Sequence, residues 1–247
     1  QLAEEDAPDL EAIRASVEEK LQGTDEFGEA WQIYVYRLKD GARASLGQGR
    51  LTAASLIKLY IMGAVYSSYD NIAAANGQEQ VDKLLNAMIT VSDNDSANTL
   101  VGMLGNGDNA AGQEAVNTYC KNNGYTDTSM GRMLLEKASA NENYTSARDC
   151  SVFLKNIYEN KLEHSEDMLN LLKQQTRTEK IPKGIPSGVE TANKTGELDH
   201  VENDAAIVFD GENPYIICVM ADNLSDTTEA RQRIVDISSV VYENISK

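Results

Sequence analysis

Apolar positions recur with helical spacing near the start of the chain. In "DLEAIRASVEEKLQ" (9 to 22), Leu10, Ile13, Val17 and Leu21 share one face. The pattern then changes to alternation. "AWQIYVYRL" (30 to 38) reads as a strand, and "DG" at 40 to 41 turns the chain back into "ARASLGQG". From about 53 to 180 the texture is helical, in "SLIKLYIMGAVYSSY", "QVDKLLNAMITV", "SANTLVGMLG", "GQEAVNTYCKNNG", "SARDCSVFLKNIYEN" and "SEDMLNLLKQQT". Thr145 or Ser146 caps the fifth of these. After "IPKGIPSG" (181 to 188) strand texture returns in "ANKTGEL", "AAIVFD" and "YIICVMA", the last two flanking the turn "GENP". "DTTEARQRIVDISSVVYENI" closes the chain as an amphipathic helix opened by Asp226 or Thr227.

Each strand group is too small to stand alone. The order predicts an α/β fold in the α+β sense: one antiparallel sheet with the end helices packed on it, and an all-helical insertion between its strands. The expected division is 1–50 with 185–247 for the sheet domain and 51–184 for the helical one, together forming one catalytic unit.

One residue disturbs this picture. "AASLIKLYIMGAVY" (53 to 66) is apolar almost throughout, yet Lys58 sits inside it, with no other charge between Arg50 and Asp70. A bare ammonium in a core is costly unless it is paired or sheds its proton. Ser55 lies three residues earlier, on the same helix face. A desolvated lysine has a lowered pKa and can take the proton of a serine nucleophile. Taken alone, the pair is read more simply as a capping serine and a snorkelling lysine.

Composition narrows the field. The chain has 247 residues, 41% hydrophobic and 25% charged, with a formal net charge of −17. Such an acidic chain is a poor partner for nucleic acid or an anionic membrane surface. No apolar run is long enough to span a bilayer. The chain begins at Gln1, which fits a processed or trimmed start. Cys120, Cys150 and Cys218 lack metal-type spacing and cannot all pair. Buried free thiols are the simpler expectation, with Cys120–Cys150 as the candidate disulfide. Neither histidine looks like a serine base. His164 sits in the polar "KLEHSEDM" and reads as a surface residue, while His200 follows "ANKTGEL" and is a candidate to line a site. No Gly-x-Ser-x-Gly elbow is present.

Two further patterns complete a set. Ser92, Asp93 and Asn94 lie in "TVSDNDSANTLV", and Lys194, Thr195 and Gly196 lie in "ANKTGEL". The patterns S-x-x-K, S-D-N and K-T-G each occur once, in that order, which is the signature of class A β-lactamases and penicillin-binding proteins. From about Trp31 onward the chain resembles the class A β-lactamase family. The resemblance implies a β-lactamase/transpeptidase-like fold and a set of roles. Ser55 is the nucleophile that forms an acyl-enzyme, and Lys58 its proton acceptor or relay. Ser92 passes a proton to the leaving nitrogen, beside the positive charge of Lys194. Asn94 bonds the substrate amide side chain, Thr195 binds the substrate carboxylate, and Gly196 leaves room along the strand edge. Asp93 turns inward to hold its loop. The backbone N–H groups of Ser55 and Glu197 form the oxyanion hole. No metal or organic cofactor is implied. The expected partner is a small-molecule β-lactam or a peptidoglycan peptide, met by a monomer that is secreted or attached to a bacterial surface.

The pattern breaks at one place. Family members carry a glutamate, in a loop after an arginine, that activates the water releasing the acyl group. Here Arg132 is followed by Met and Leu in "GRMLLEKASANENYTSARD" (131 to 149). Glu136 and Glu142 are the displaced candidates for the base, and both are also ordinary solvated loop charges in the simpler reading. Three functions stay open: a β-lactam hydrolase, a D-alanyl peptidase or penicillin-binding protein with slow deacylation, and a non-catalytic cell-wall-binding module on the same fold.

Overall fold

The computed structural model describes residues 8–137 and 141–247. Residues 1–7 of the expected sheet domain, and 138–140 of the loop that departs from the family pattern, lie outside the described residues. The sheet forms from β1 (Ala30–Arg37), β2 (Arg43–Leu46), β5 (Glu190–Leu198), β6 (Val201–Phe209) and β7 (Tyr215–Asp222). Its order is β2-β1-β7-β6-β5, and every neighbouring pair is antiparallel. β1 lies against β7, with Ile33 opposite Val219, so strands far apart in sequence meet at the centre of the sheet. A separate two-stranded ribbon pairs β3 (Leu51–Thr52) with β4 (Tyr144–Thr145).

Alternation along the strands explains the layers. In β7, Tyr215, Ile217 and Val219 join Ile33 and Val35 of β1 in one core. On that face lie α1 (Glu11–Lys20), through Ile13 and Val17, and α9 (Thr227–Asn244), through Ile234, Ile237 and Val241. The intervening Ile216, Cys218 and Met220 enter a second core on the opposite face. The near-continuous apolar run of "YIICVMA" follows from burial on both sides. The opposite face is covered by α7 (Ala147–Tyr158), which packs on β1 and β7.

The other helices are α2 (Ile57–Ser67), α3 (Tyr69–Asn76), α4 (Gln78–Thr90), α5 (Asn94–Leu104), α6 (Asn109–Asn122) and α8 (Ser165–Lys173). Ten of the eleven residues of α2 are buried, so this helix is apolar all round and forms the axis of the helical layer. Asp226 caps α9 by accepting from the N–H groups of Thr228 (2.9 Å) and Glu229 (3.0 Å). Ser146, rather than Thr145, caps α7, taking the Asp149 N–H at 3.1 Å.

Two expectations resolve in the second core and on its rim. All three cysteines are buried and free. His164 is exposed, as expected of a surface residue, with its ring stacked on Tyr66 at a centroid distance of 5.1 Å and its Nδ1 2.8 Å from Asp167. Polar sequence around it concealed an aromatic neighbour from another helix.

The packing of α5 on α6 supplies a stability test. A Cβ on Gly112 would lie 1.9 Å from the carbonyl oxygen of Val101. Gly112→Ala is therefore expected to cost about 1–3 kcal/mol, the usual range for overpacking. A lowered denaturant midpoint at unchanged slope would register it, and an unchanged midpoint would contradict such close packing.

Candidate active site

Ser55 sits in a 3-10 turn, Ala54–Leu56, that runs directly into α2. Three residues, Asn203, Asp222 and Asn143, hold the approach to this turn. Asn203 of β6, almost fully buried, donates to the carbonyls of Thr52 (3.0 Å) and Ala53 (3.1 Å) and accepts from Ala221 N–H (3.2 Å). Asp222 takes the Thr52 N–H at 3.1 Å, and the carbonyl of Asn143 takes the Ala53 N–H at 2.8 Å. Ala54 is thereby held at φ 47°, a left-handed conformation that costs a non-glycine residue about 1–3 kcal/mol. Gly196 lies opposite Asn203 in the sheet, and its lack of a side chain admits the turn. A Cβ there would stand 2.9 Å from Ala53 O and 3.1 Å from the nitrogens of Ser55 and Leu56.

Lys58 and Lys194 are both fully buried. The Nζ of Lys58 lies 3.1 Å from Ser55 Oγ, 3.0 Å from Ser92 Oγ, 2.6 Å from Ser92 O and 2.7 Å from Asn94 Oδ1. Lys194 Nζ approaches the same Ser92 hydroxyl at 3.0 Å and donates to Thr195 O at 2.8 Å. One serine hydroxyl thus bridges two lysines. Ser92 adopts φ 60° to present it, in the turn just before α5. Asp93 caps α5 by accepting from Ser96 N–H at 2.8 Å, which fixes Ser92 and Asn94 on either side of it.

Burial pushes Lys58 down to about 8, with Asp93 opposing the shift and Arg177 adding to it. Burial also drives Lys194 well below the ordinary lysine value, helped by Lys58, Lys180 and Arg177. Two cations facing one hydroxyl in a dry site cannot both hold protons cheaply. A neutral lysine has two N–H donors and one lone pair. Ser92 O and Asn94 Oδ1 only accept, so they take the two donors and leave the lone pair of Lys58 for a hydroxyl. The geometry can therefore deprotonate Ser55 without a histidine.

A cavity of about 490 Å³ opens beside Ser55, lined by Asn94, Leu134, Glu136, Glu142, Leu198 and His200 among others. His200 indeed lines the site, with its Nδ1 2.9 Å from Leu224 O. A smaller one of about 140 Å³ is lined by Ser55, Ser92, Asn94, Arg177, Thr195, Gly196 and Glu197. Every residue of the three sequence patterns assigned to substrate or proton handling falls at these cavities or touches a residue that does.

The two candidate bases are engaged within their own loop. Glu142 pairs with Arg132 at 2.7 Å and also accepts from Asn143 N–H. The Glu136 carboxylate accepts from Met133 N–H at 3.2 Å, and its carbonyl receives Arg132 at 2.8 Å. Leu134 lines the larger cavity together with these two glutamates. Asn98 of α5 clamps it from both sides: its Nδ2 donates to Leu134 O and its Oδ1 accepts from Leu134 N–H, each at 2.9 Å. Asn143 Oδ1 closes the other end of the loop on the N–H groups of Gly131 (2.9 Å) and Arg132 (3.1 Å).

Sequence reasoning missed Asn98, Asn143, Asn203 and Lys180, and could not place Arg177 or Arg231. Asn98 carried a trace of a signal, four residues after Asn94 on the same helix face; the others carried none. Among the described residues no group of three His, Cys, Asp or Glu is placed to hold a metal ion, and no helix is long and apolar enough to cross a membrane.

Comparison with known proteins places the fold. The structure superposes on PBP-A with a TM-score of 0.81 at 21% identity, covering 96% of this chain and 97% of that one. It superposes on a β-lactamase from Sphaerobacter thermophilus with a TM-score of 0.80 at 22% identity, covering 94% and 97%. A third match, at TM-score 0.80 and 20% identity over 95% and 96%, is a leucine-to-glutamate mutant of PBP-A as its acyl-enzyme complex with penicillin G. At these identities the likeness carries the fold. No curated protein matches in sequence. The model of the β-lactamase enzyme family matches residues 71–245, most of the chain, and with the fold it makes this protein a member of that family, a hydrolase of the β-lactamase type.

Proposed function

We propose that the protein is a serine acyl-transfer hydrolase that opens β-lactams and related amides through an ester on Ser55 and releases that ester slowly. The observation that carries this reading is the hydrogen-bonded chain Ser55–Lys58–Ser92–Lys194. The Ser55 hydroxyl gives its proton to the lone pair of Lys58 as Oγ attacks the carbonyl carbon. The resulting oxyanion is held by the N–H groups of Ser55 and Glu197. When the C–N bond breaks, the leaving nitrogen takes the Ser92 hydroxyl proton. Lys58, now an ammonium 3.0 Å away, restores it. The net transfer is one proton from Ser55 to the leaving nitrogen. Asn94 and Thr195 position the substrate amide and carboxylate.

Release of the ester needs an activated water. At the place where a family member would supply glutamate for this, the chain has Leu134, fixed by Asn98. The carboxylates of Glu136 and Glu142 are committed to Met133 and Arg132. This supports a penicillin-binding or D-alanyl peptidase role over rapid antibiotic hydrolysis. PBP-A, whose leucine-to-glutamate mutant is known as an acyl-enzyme with penicillin G, is similar in fold and supports the same reading. Wall peptide and antibiotics meet outside the cytoplasm, which favours a secreted or surface-attached protein.

Intact mass spectrometry with penicillin G, followed from seconds to hours, is expected to show a persistent adduct on Ser55 that Ser55→Ala abolishes. Binding retained in Ser55→Ala with no adduct in the parent protein would instead indicate a binding module. The acylation rate should rise about tenfold per pH unit below about 8 and level off above it, as Lys58 loses its proton. Lys58→Met should lower that rate by about 10²–10⁴-fold, the usual share of general-base catalysis. A flat pH profile between 6 and 9 would argue against the lysine base. Leu134→Glu is expected to shorten the adduct lifetime by about 10²-fold or more. An unchanged lifetime would show that the loop leaves no room there for an activated water.

A further inference from the structure

Five large apolar side chains are exposed among the described residues, and two of them, Leu135 and Leu198, line the larger cavity beside Ser55. They reach it from separate segments, the loop 131–143 and the end of β5. Leu135 is 69% exposed and holds φ 69°, a strained conformation for a leucine. Its neighbours keep it there: Asn98 fixes both backbone groups of Leu134, and Arg132 fixes the Glu136 carbonyl. Glycine or asparagine suits such a backbone better, and an exposed leucine gains no packing to offset the strain. Leu198 is 42% exposed. It stands two residues after Gly196, so the two share the face of β5 that meets the Ser55 turn. Most charged groups of the cavity are already engaged. Glu142 pairs with Arg132, Glu136 accepts from Met133 N–H, and Glu197 is shared by Lys180, Arg231 and Arg177 at 3.2, 3.6 and 3.8 Å. Asp199, exposed at the turn after β5, adds a negative charge to the rim.

We propose that Leu135 and Leu198 form an apolar clamp for the side chain on the acyl side of the donor, so that the preferred donors carry a bulky, uncharged hydrocarbon or aromatic group there. The inference rests on the acyl-transfer reading above. Asn94 and Ser55 line both cavities, whereas Thr195 and Arg177 line the smaller one. A donor whose carboxylate meets Thr195 and whose amide bonds Asn94 therefore directs its acyl side chain into the larger cavity, between the two leucines. A penicillin brings its acyl group to this place, and a peptide brings a long aliphatic residue. Closing the leucines on such a group removes hydrocarbon from water on both partners, which the free protein leaves undone. Asp199 and Glu136 make the same rim unfavourable for an anionic side chain.

The test compares penicillin G with its acetyl analogue, which keeps the lactam, the carboxylate and the amide and lacks the phenyl ring. Rates of adduct formation are read by intact mass spectrometry on the parent protein, on Leu135→Gly, and on Leu135→Ser combined with Leu198→Ser. The parent protein should be acylated by penicillin G about tenfold faster than by the analogue, the low end of what an apolar pocket gains from added hydrocarbon. The double variant should bring that ratio close to one through loss of rate with penicillin G. Leu135→Gly separates display from structure. Glycine takes φ 69° freely, so the denaturant midpoint should not fall, yet the ratio should. A parent ratio near one overturns the proposal. So does a ratio unchanged in the double variant, including one kept by equal losses with both compounds, which would place the leucines in the frame of the site rather than against the donor. Absence of a Ser55 adduct with either compound in the parent and in every variant overturns the acyl-transfer reading itself, and this proposal with it.

Discussion

An amine buried at the start of a helix that is apolar on every side must be surrounded by acceptors, because water cannot reach it. Lys58 imposes that demand on the rest of the molecule. Its partners come from the turn before α2 and from the turn before α5, so the helical layer can pack only in the arrangement that brings those turns together. The second lysine, on β5, adds the sheet to the same point through Ser92. Two elements at left-handed φ, Ala54 and Ser92, are tolerated because the contacts around them are too many to relax. What holds this buried amine in place is also what aligns the proposed nucleophile with a base.

The loop from Gly131 to Asn143 shows the opposite logic. Its ends are closed by Asn143 and by the Arg132–Glu142 pair, and its middle is pinned by Asn98. The loop is therefore anchored at both ends and in the middle. It presents a buried Leu134, with Leu135 exposed beside it at φ 69°. Where an ionised group would order water, a hydrocarbon surface lines the cavity.

Much of the architecture was legible because hydrophobic period is a local property. The strands, the end helices and the helical block between them follow from alternation and 3.6-residue spacing, and β7 differs only in being apolar on both faces. The proposed reacting groups were legible for another reason: each lies in a short pattern whose members act together. The supporting asparagines were not, since Asn98, Asn143 and Asn203 bond backbone groups distant in sequence. The cations around Glu197 were equally hidden. Arg177, Lys180 and Arg231 come from a coil, a helical turn and α9, and only the fold makes them neighbours. His164 is at the surface as its polar sequence neighbours indicate, but they give no hint of Tyr66 beside it.

The pairing of β1 with β7 reaches beyond packing. The first strand has only β2 beside it until some 180 residues later in the chain its central partner arrives. Nearly all of the helical layer is made in that interval, yet the surface it must cover does not exist. Closing so large a loop is slow compared with forming local contacts. The corner at Ser55 needs β5 and the Asn203 of β6 as well, so it forms only after those strands have been made. Until then the proposed nucleophile has neither the contact of Lys194 with Ser92 nor the support that Asn203 gives its turn.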